Sequence, residues 1–328
     1  MQPFRFFKLG LTCLLPFLAS MGQAQSPSDE YLVPQGSKAR SVPRINGGVV
    51  VAPGQGPWVA SLQYQHIDGD GDSWRHFCAG SFVHPRLETD GAGATHVLQW
   101  EANRTLPRWL ITAAHCIKND DGTELDISRI SVVGGSTDYA SIDVERQDVE
   151  AALIHEGYDP DSFENDIALL RLSSPTNDNF ERTMRSTIRL PSVRDTDWIN
   201  EDYLAVIAQG WGRTEKGTAS SSLREVVLPL VSRQLCAEKF AIHGEIISNG
   251  MLCAGFVSGF YDSCQGDSGG PLIYQHRGNL GFGRSNDAVL LGIISWGKGC
   301  GNTDLFGTYT RMSSYVSWAE NQVIAFAS

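Results

Sequence analysis

The feature that most restricts this 328-residue chain is an alternation of short β-prone runs with clusters of glycine, aspartate and proline. Trp58 to Tyr64 is one run, Trp109 to Thr112 another, followed by Ile130 to Val133, Ile167 to Leu172, Leu204 to Ile207, Val289 to Ile294 and Thr308 to Thr310. Each is too short for a stable helix and is rich in residues that fit a pleated, half-buried surface. With 34 glycines to turn the chain, the pattern predicts an all-β sandwich or barrel. Ser313 to Phe326 departs from it: Tyr315, Trp318, Ala319, Gln322 and Val323 recur at helical spacing, which predicts one C-terminal helix. No repeat at a solenoid period is present. His66 to His76, Pro85 to Arg108 and Gln275 to Asp287 read as loops.

The N-terminus reads as an export signal over residues 1–24. Arg5 and Lys8 supply the positive region, Leu9 to Ala19 a short apolar stretch, and Gly22-Gln23-Ala24 small residues for cleavage. Residues 25–44 are too poor in apolar side chains to fold alone, which fits a disordered tail; because they end in Val42-Pro43-Arg44 and run into Ile45-Asn46-Gly47-Gly48, they also read as a propeptide ahead of a domain spanning 45–328. The apolar stretch falls short of a membrane span. Of seven cysteines, Cys13 lies in the signal and six remain, enough for three disulfides in an exported chain. The location expected is therefore extracellular or periplasmic. Formal charge is −11, which argues against nucleic acid or an anionic membrane as partner. Residues 1–44 hold five basic and two acidic side chains, so the remainder carries 21 against 35, a net −14 that should draw in basic substrates at low salt.

Three segments carry chemistry: Thr112-Ala113-Ala114-His115-Cys116, Asn165-Asp166-Ile167-Ala168-Leu169, and Asp262-Ser263-Cys264-Gln265-Gly266-Asp267-Ser268-Gly269-Gly270-Pro271-Leu272. A serine hydroxyl is a poor nucleophile at neutral pH and needs a base within reach. An imidazole can take and return a proton near pH 7, and a carboxylate on its far nitrogen fixes its tautomer. His115, Asp166 and Ser268 supply these groups in that order. The segments resemble the trypsin/chymotrypsin family of serine endopeptidases, with further matches at Gln209-Gly-Trp-Gly212, Met251-Leu-Cys-Ala-Gly255 and Ser295-Trp-Gly-Lys-Gly-Cys300. The likeness runs from Ile45 to about Val323.

The resemblance implies two packed six-stranded antiparallel β-barrels with a cleft between them and a C-terminal α-helix. It implies an endopeptidase that works through an acyl-enzyme, with His115, Asp166 and Ser268 catalytic and the amides of Gly266 and Ser268 as oxyanion hole. Asp262 would sit at the base of the pocket for the residue before the cut bond, selecting Arg or Lys, with Gly297 and Gly307 in its walls. Cleavage after Arg44 would free the α-amino group of Ile45 to pair with Asp267 and order the site. The family more often has Val where Asn46 stands. The implied disulfides are Cys78–Cys116, Cys236–Cys253 and Cys264–Cys300. No cofactor or metal is implied. Expected partners are protein or peptide substrates with Arg or Lys before the cut, an activating trypsin-like protease or the chain itself, and protein inhibitors. The rival readings are a catalytically silent binding protein on this fold and a narrow regulatory protease.

Some features stand apart. Phe306, where many relatives carry Pro, is associated in the family with sodium sensitivity. Asp68-Gly-Asp70-Gly-Asp72 suggests calcium, but Ala79 stands where an EF-hand needs its twelfth-position acid, so it reads as a solvated acidic loop. The family's own calcium loop looks shortened after Gly135. Asn103-Arg104-Thr105 is a glycosylation pattern in a eukaryotic secretory host. The 85–108 insertion, between Cys78 and His115, is expected to flank and narrow the cleft entrance.

Overall fold

The computed structural model describes residues 48–327, apart from 69–70, 105–106, 120–121, 142–144, 174–185, 193–194, 196–202, 213–219, 258–265, 276–287 and 298–304. The strands are β1 (Val49–Val50), β2 (Val59–Asp68), β3 (Gly71–Val83), β4 (Pro85–Thr89), β5 (Thr95–Trp100), β6 (Trp109–Thr112), β7 (Ile130–Gly134), β8 (Arg146–Ile154) and β9 (Ala168–Leu172). They continue as β10 (Ala205–Gly210), β11 (Arg224–Val231), β12 (Met251–Ala254), β13 (Pro271–Gln275), β14 (Ala288–Trp296) and β15 (Gly307–Arg311).

The expected pair of six-stranded antiparallel barrels is present. The first closes in the order β2-β3-β6-β9-β8-β7. The second runs β11-β10-β13-β14-β15-β12, and the β11–β12 pairing closes it; β1 adds to the outer edge of β11. Closure satisfies the backbone groups that open sheet edges would leave unpaired. Sequence pattern explains the burial. β6 reads Trp-Leu-Ile-Thr and is buried throughout, whereas β8 begins Arg-Gln-Asp-Val-Glu with exposed and buried residues alternating. Phe82, Leu62, Leu110 and Ile111 fill the first barrel, and Leu228, Leu272, Leu291 and Tyr309 the second.

The C-terminal helix, α2 (Val316–Ala327), follows a 3₁₀ turn at Met312–Ser314 and buries Ala319 and Val323. A second helix, α1 (Arg233–Ala241), was not anticipated; Ser232 caps it by accepting from the Leu235 amide at 3.3 Å. No helix among the described residues is long and apolar enough to cross a membrane. Disulfides Cys78–Cys116 and Cys236–Cys253 are formed, with Cα separations of 6.1 and 6.3 Å. Cys264 and Cys300 lie outside the described residues.

Two expected loops are ordered strands. Residues 66–68 and 71–76 extend the β2–β3 pair, which runs out to Asp68 opposite Gly71. The 85–108 insertion contains the β4–β5 ribbon, and its placement corrects the expectation that it lines the entrance. The insertion leaves the barrel at the Val83–Trp109 pair, whereas His115 follows Thr112 at the other end of β6. Strand β5 packs on α2.

Candidate active site

Asp166 is fully buried at the end of a turn that the sequence shapes locally. Asn165 adopts a left-handed backbone (φ 56°), which asparagine tolerates. Its Nδ2 donates to Gly157 O at 2.7 Å, and its Oδ1 accepts from Tyr315 Oη at 3.1 Å. The carboxylate of Asp166 then meets the 3₁₀ turn Ala114–Cys116. His115 donates its backbone amide to Oδ1 at 2.9 Å and presents Nδ1 to Oδ2 at 2.8 Å. Ser295 Oγ donates to the same Oδ2 at 2.5 Å, and Thr310 Oγ1 donates to the Asp166 carbonyl at 2.7 Å. The carboxylate can only accept, so Nδ1 carries the proton and Nε2 is left as a base. The imidazole keeps 22% of its side chain exposed while its partner has none.

The electrostatics follow from that packing. Burial would push the Asp166 carboxyl up, but the adjoining imidazole and the donors from His115 and Ser295 outweigh it and hold the group below the usual carboxylate range. Burial would push His115 down, and the Asp166 carboxylate and its hydrogen bond outweigh that and raise it above 6.5.

Ser268 lies on the turn between Gly266 and Gly270. Its carbonyl accepts from the Ala79 amide at 2.7 Å, and the Ala79 carbonyl accepts from Thr112 Oγ1 at 2.7 Å. The turn is also tied to β14, because the Gly269 amide donates to Ile294 O at 2.8 Å. Gly269 has φ +78°, and a Cβ there would run into Thr112 Oγ1 and Ala79 O. The serine turn is thus held against the strand that leads into His115. Gly266 has φ +95°, and its carbonyl accepts from His76 Nε2 at 2.8 Å. His76 Nδ1 accepts from Ser61 Oγ at 2.8 Å and the ring stacks on Tyr139 with centroids 4.9 Å apart. Burial lowers the pKa of His76 to about 4, so it stays neutral and holds this tautomer.

Asp267 points inward, 1% exposed, and its Oδ1 accepts from the Gly212 amide at 2.7 Å. Trp296 pairs with Thr308 at the end of the β14–β15 register; Gly297 follows the first of these and Gly307 precedes the second, paired with Ala254 of β12. Arg44, Ile45 and Asp262 lie outside the described residues. Sequence reasoning singled out neither Ser295, Thr310, His76, Phe163 nor Trp296. Phe163 holds a left-handed backbone (φ 54°), with its ring 5.8 Å from His115 and 6.2 Å from Trp296. Ser295 and Trp296 stood in a matched segment, but nothing local to Phe163 or His76 marks either.

The family model described as Trypsin matches residues 105–319. Coagulation factor XII of Cavia porcellus is 32% identical over 286 residues, covering 85% of this chain and 40% of that protein. Coagulation factor XII of Bos taurus is 32% identical over 283 residues, 85% of this chain and 39% of its own length. Transmembrane protease serine 11G of Rattus norvegicus is 30% identical over 313 residues, 94% of this chain and 62% of that protein. The chain therefore spans about two fifths of the factor XII proteins and under two thirds of the third relative.

Proposed function

The chain belongs to the trypsin family of serine proteases, and from that membership we propose a secreted endopeptidase, made as a zymogen, that cuts after Arg or Lys. Residues 1–24 are the export signal, 25–44 the propeptide and 45–328 the protease domain. Ser268 is the nucleophile, His115 the general base and acid, and Asp166 the group that fixes the imidazole and stabilises it when protonated. The amides of Gly266 and Ser268 receive the negative charge that develops on the substrate carbonyl oxygen. The acyl-enzyme forms as the Ser268 oxygen bonds to that carbon and its proton passes through His115 to the leaving amine. Water then reverses the sequence and frees Ser268.

One observation carries this reading: a buried carboxylate holds Nδ1 of a partly exposed imidazole at 2.8 Å and leaves Nε2 basic. The Ser268 turn bonded to Ala79 supports it. Preference for Arg or Lys rests on Asp262 in the matched motif, with Gly297 and Gly307 as pocket walls. An aromatic wall of Phe163 and Trp296 stands beside His115; we read it as a contact for the substrate, which supports a restricted set of targets over general digestion.

Amidase activity on a chromogenic Arg peptide tests the reading, before and after cleavage at Arg44, with Ser268→Ala as control. Activity that comes with a new Ile45 terminus and is absent from the control is the expected result. A folded, correctly cut chain with no activity on Arg or Lys peptides would overturn the reading in favour of a binding protein on this fold or of a substrate requirement beyond the residue before the cut.

A further inference from the structure

Among the buried charged side chains, Arg224 plays no part in the chemistry above. It sits in β11 with 2% exposure, and its Nη2 donates to the carbonyl of Gly48 at 2.7 Å. Gly48 is the first described residue after Arg44. It leads into β1, where Val50 pairs with Arg224 and Val49 with Glu225. On the opposite side, Arg224 faces Gly210 in the β10–β11 register, and a Cβ at Gly210 would run into the Asp267 carboxylate. Directly opposed residues of an antiparallel pair project to the same face. The Arg224 side chain therefore leaves β11 on the face of the sheet where the buried Asp267 carboxylate lies.

Strand β1 is two residues long, and both are half exposed (Val49 53%, Val50 48%). So short a pairing at a sheet edge buries little apolar surface and is a weak tether. The guanidinium bond at Gly48 is a buried, charge-assisted one, the stronger kind. From Gly48 back to Ile45 the chain can reach at most about 10 Å when extended. Where its root is held thus decides what the terminus can touch.

We propose that Arg224 is a positioning residue of the activation switch, docking the N-terminal segment at Gly48 so that the α-amino group of Ile45 meets Asp267. This rests on the zymogen reading above and assigns that switch a second buried partner. An inserted α-amino group must stay protonated, so its pKa is raised in the ordered enzyme. Activity is then lost as pH rises through that raised value. A tenfold weaker dock brings this alkaline limb down by about one pH unit, towards the ordinary α-amino value of about 8.

The test compares wild type with Arg224→Met and Arg224→Gln, each full chain cut after Arg44. Thermal unfolding near neutral pH identifies the folded variants, and kcat/KM on an Arg amide is followed up to about pH 10. The expected result is an alkaline limb lower by about one unit, with near wild-type activity well below it. A purely structural loss would lower activity at every pH and leave the limb in place, and a wild-type limb in either folded variant overturns the proposal. Uncut Arg44→Gln tests the zymogen reading separately. If it matches cut wild type in activity, that reading fails and the role of Arg224 with it; if it is inactive, the limb alone decides.

Discussion

Removing the Ser295 hydroxyl tests whether the buried carboxylate is as finely supported as its contacts imply. Asp166 has no solvent exposure, and its Oδ2 takes two of the three carboxylate hydrogen bonds described here, from His115 Nδ1 at 2.8 Å and Ser295 Oγ at 2.5 Å. Ser295→Ala deletes one charge-assisted bond and leaves no side-chain replacement. Such a loss costs about 1.5–3 kcal/mol of stability near pH 7. At about 1.4 kcal/mol per unit, the Asp166 pKa should rise by roughly one to two units. The group starts below the ordinary carboxylate value, so it still ionises at neutral pH. His115 keeps both its bonds to Asp166, and kcat/KM is expected to fall by less than about tenfold. A depressed carboxylate contributes stability above its unfolded pKa and loses it as pH falls through the folded pKa. The mutant deficit should therefore shrink as pH drops below about 4. Denaturant unfolding across that range, paired with steady-state kinetics, is the assay. An unchanged midpoint at pH 7 would refute the energetic argument. A loss near 10⁴ would show instead that His115 depends on Ser295 for its alignment.

Three further outcomes are expected. Asp166→Asn presents a donor to Nδ1, imposes the wrong tautomer and should lower kcat by about 10⁴, a figure measured on this family's own triad; a loss under tenfold in the amidase assay would contradict the role given to Asp166. Gly269→Ala forces a Cβ into Thr112 Oγ1 and Ala79 O at φ +78°, so it should destabilise by more than about 1 kcal/mol and reduce activity, while a stable, fully active variant would mean the turn is not held as described. Asp195→Ala removes the acceptor for Arg189 (2.7 and 2.9 Å) and for the Ser192 amide and hydroxyl, and should cost about 2–3 kcal/mol at pH 7 with less effect below about pH 4, where a depressed carboxyl loses its contribution; equal destabilisation at both pH values would refute the charge argument.

What the sequence displayed depends on how local each signal is. Strand β6 was legible to the residue because Trp109 to Ile111 is an apolar run closed by the β-branched Thr112, and all four residues are buried. Strand β3 was not, since Gly71 to His76 mixes Asp, Gly, Arg and His, and pairing with β2 rather than composition makes it a strand. Helix α1 escaped notice because its nine residues bury only Cys236 and Phe240, too few to draw an apolar stripe. The β4–β5 ribbon was read as loop, although Asp90-Gly-Ala-Gly-Ala is a turn signal: Asp90 Oδ1 accepts from the amides of Ala92 and Ala94, both at 2.9 Å. For the site, motif spacing brought forward His115, Asp166 and Ser268. Their supports were hidden by chain distance. Ser295 and Thr310 reach Asp166 across 129 and 144 residues, and His76 reaches Gly266 across 190. No local pattern encodes such contacts; they exist only once both barrels have closed.

That seam between barrels also bears on timing. His115 and Asp166 belong to the first barrel, but Ser295, Thr310 and the Ser268 turn come from the second, so the full set of partners converges late. Pairings this far apart in sequence pay their loop-closure entropy before any reward arrives. A chain still emerging from the ribosome, or one truncated before β14, lacks Ser295 and Thr310 and cannot assemble the carboxylate's surroundings. The surroundings of the Asp166 carboxylate are therefore complete only after the second barrel has been made.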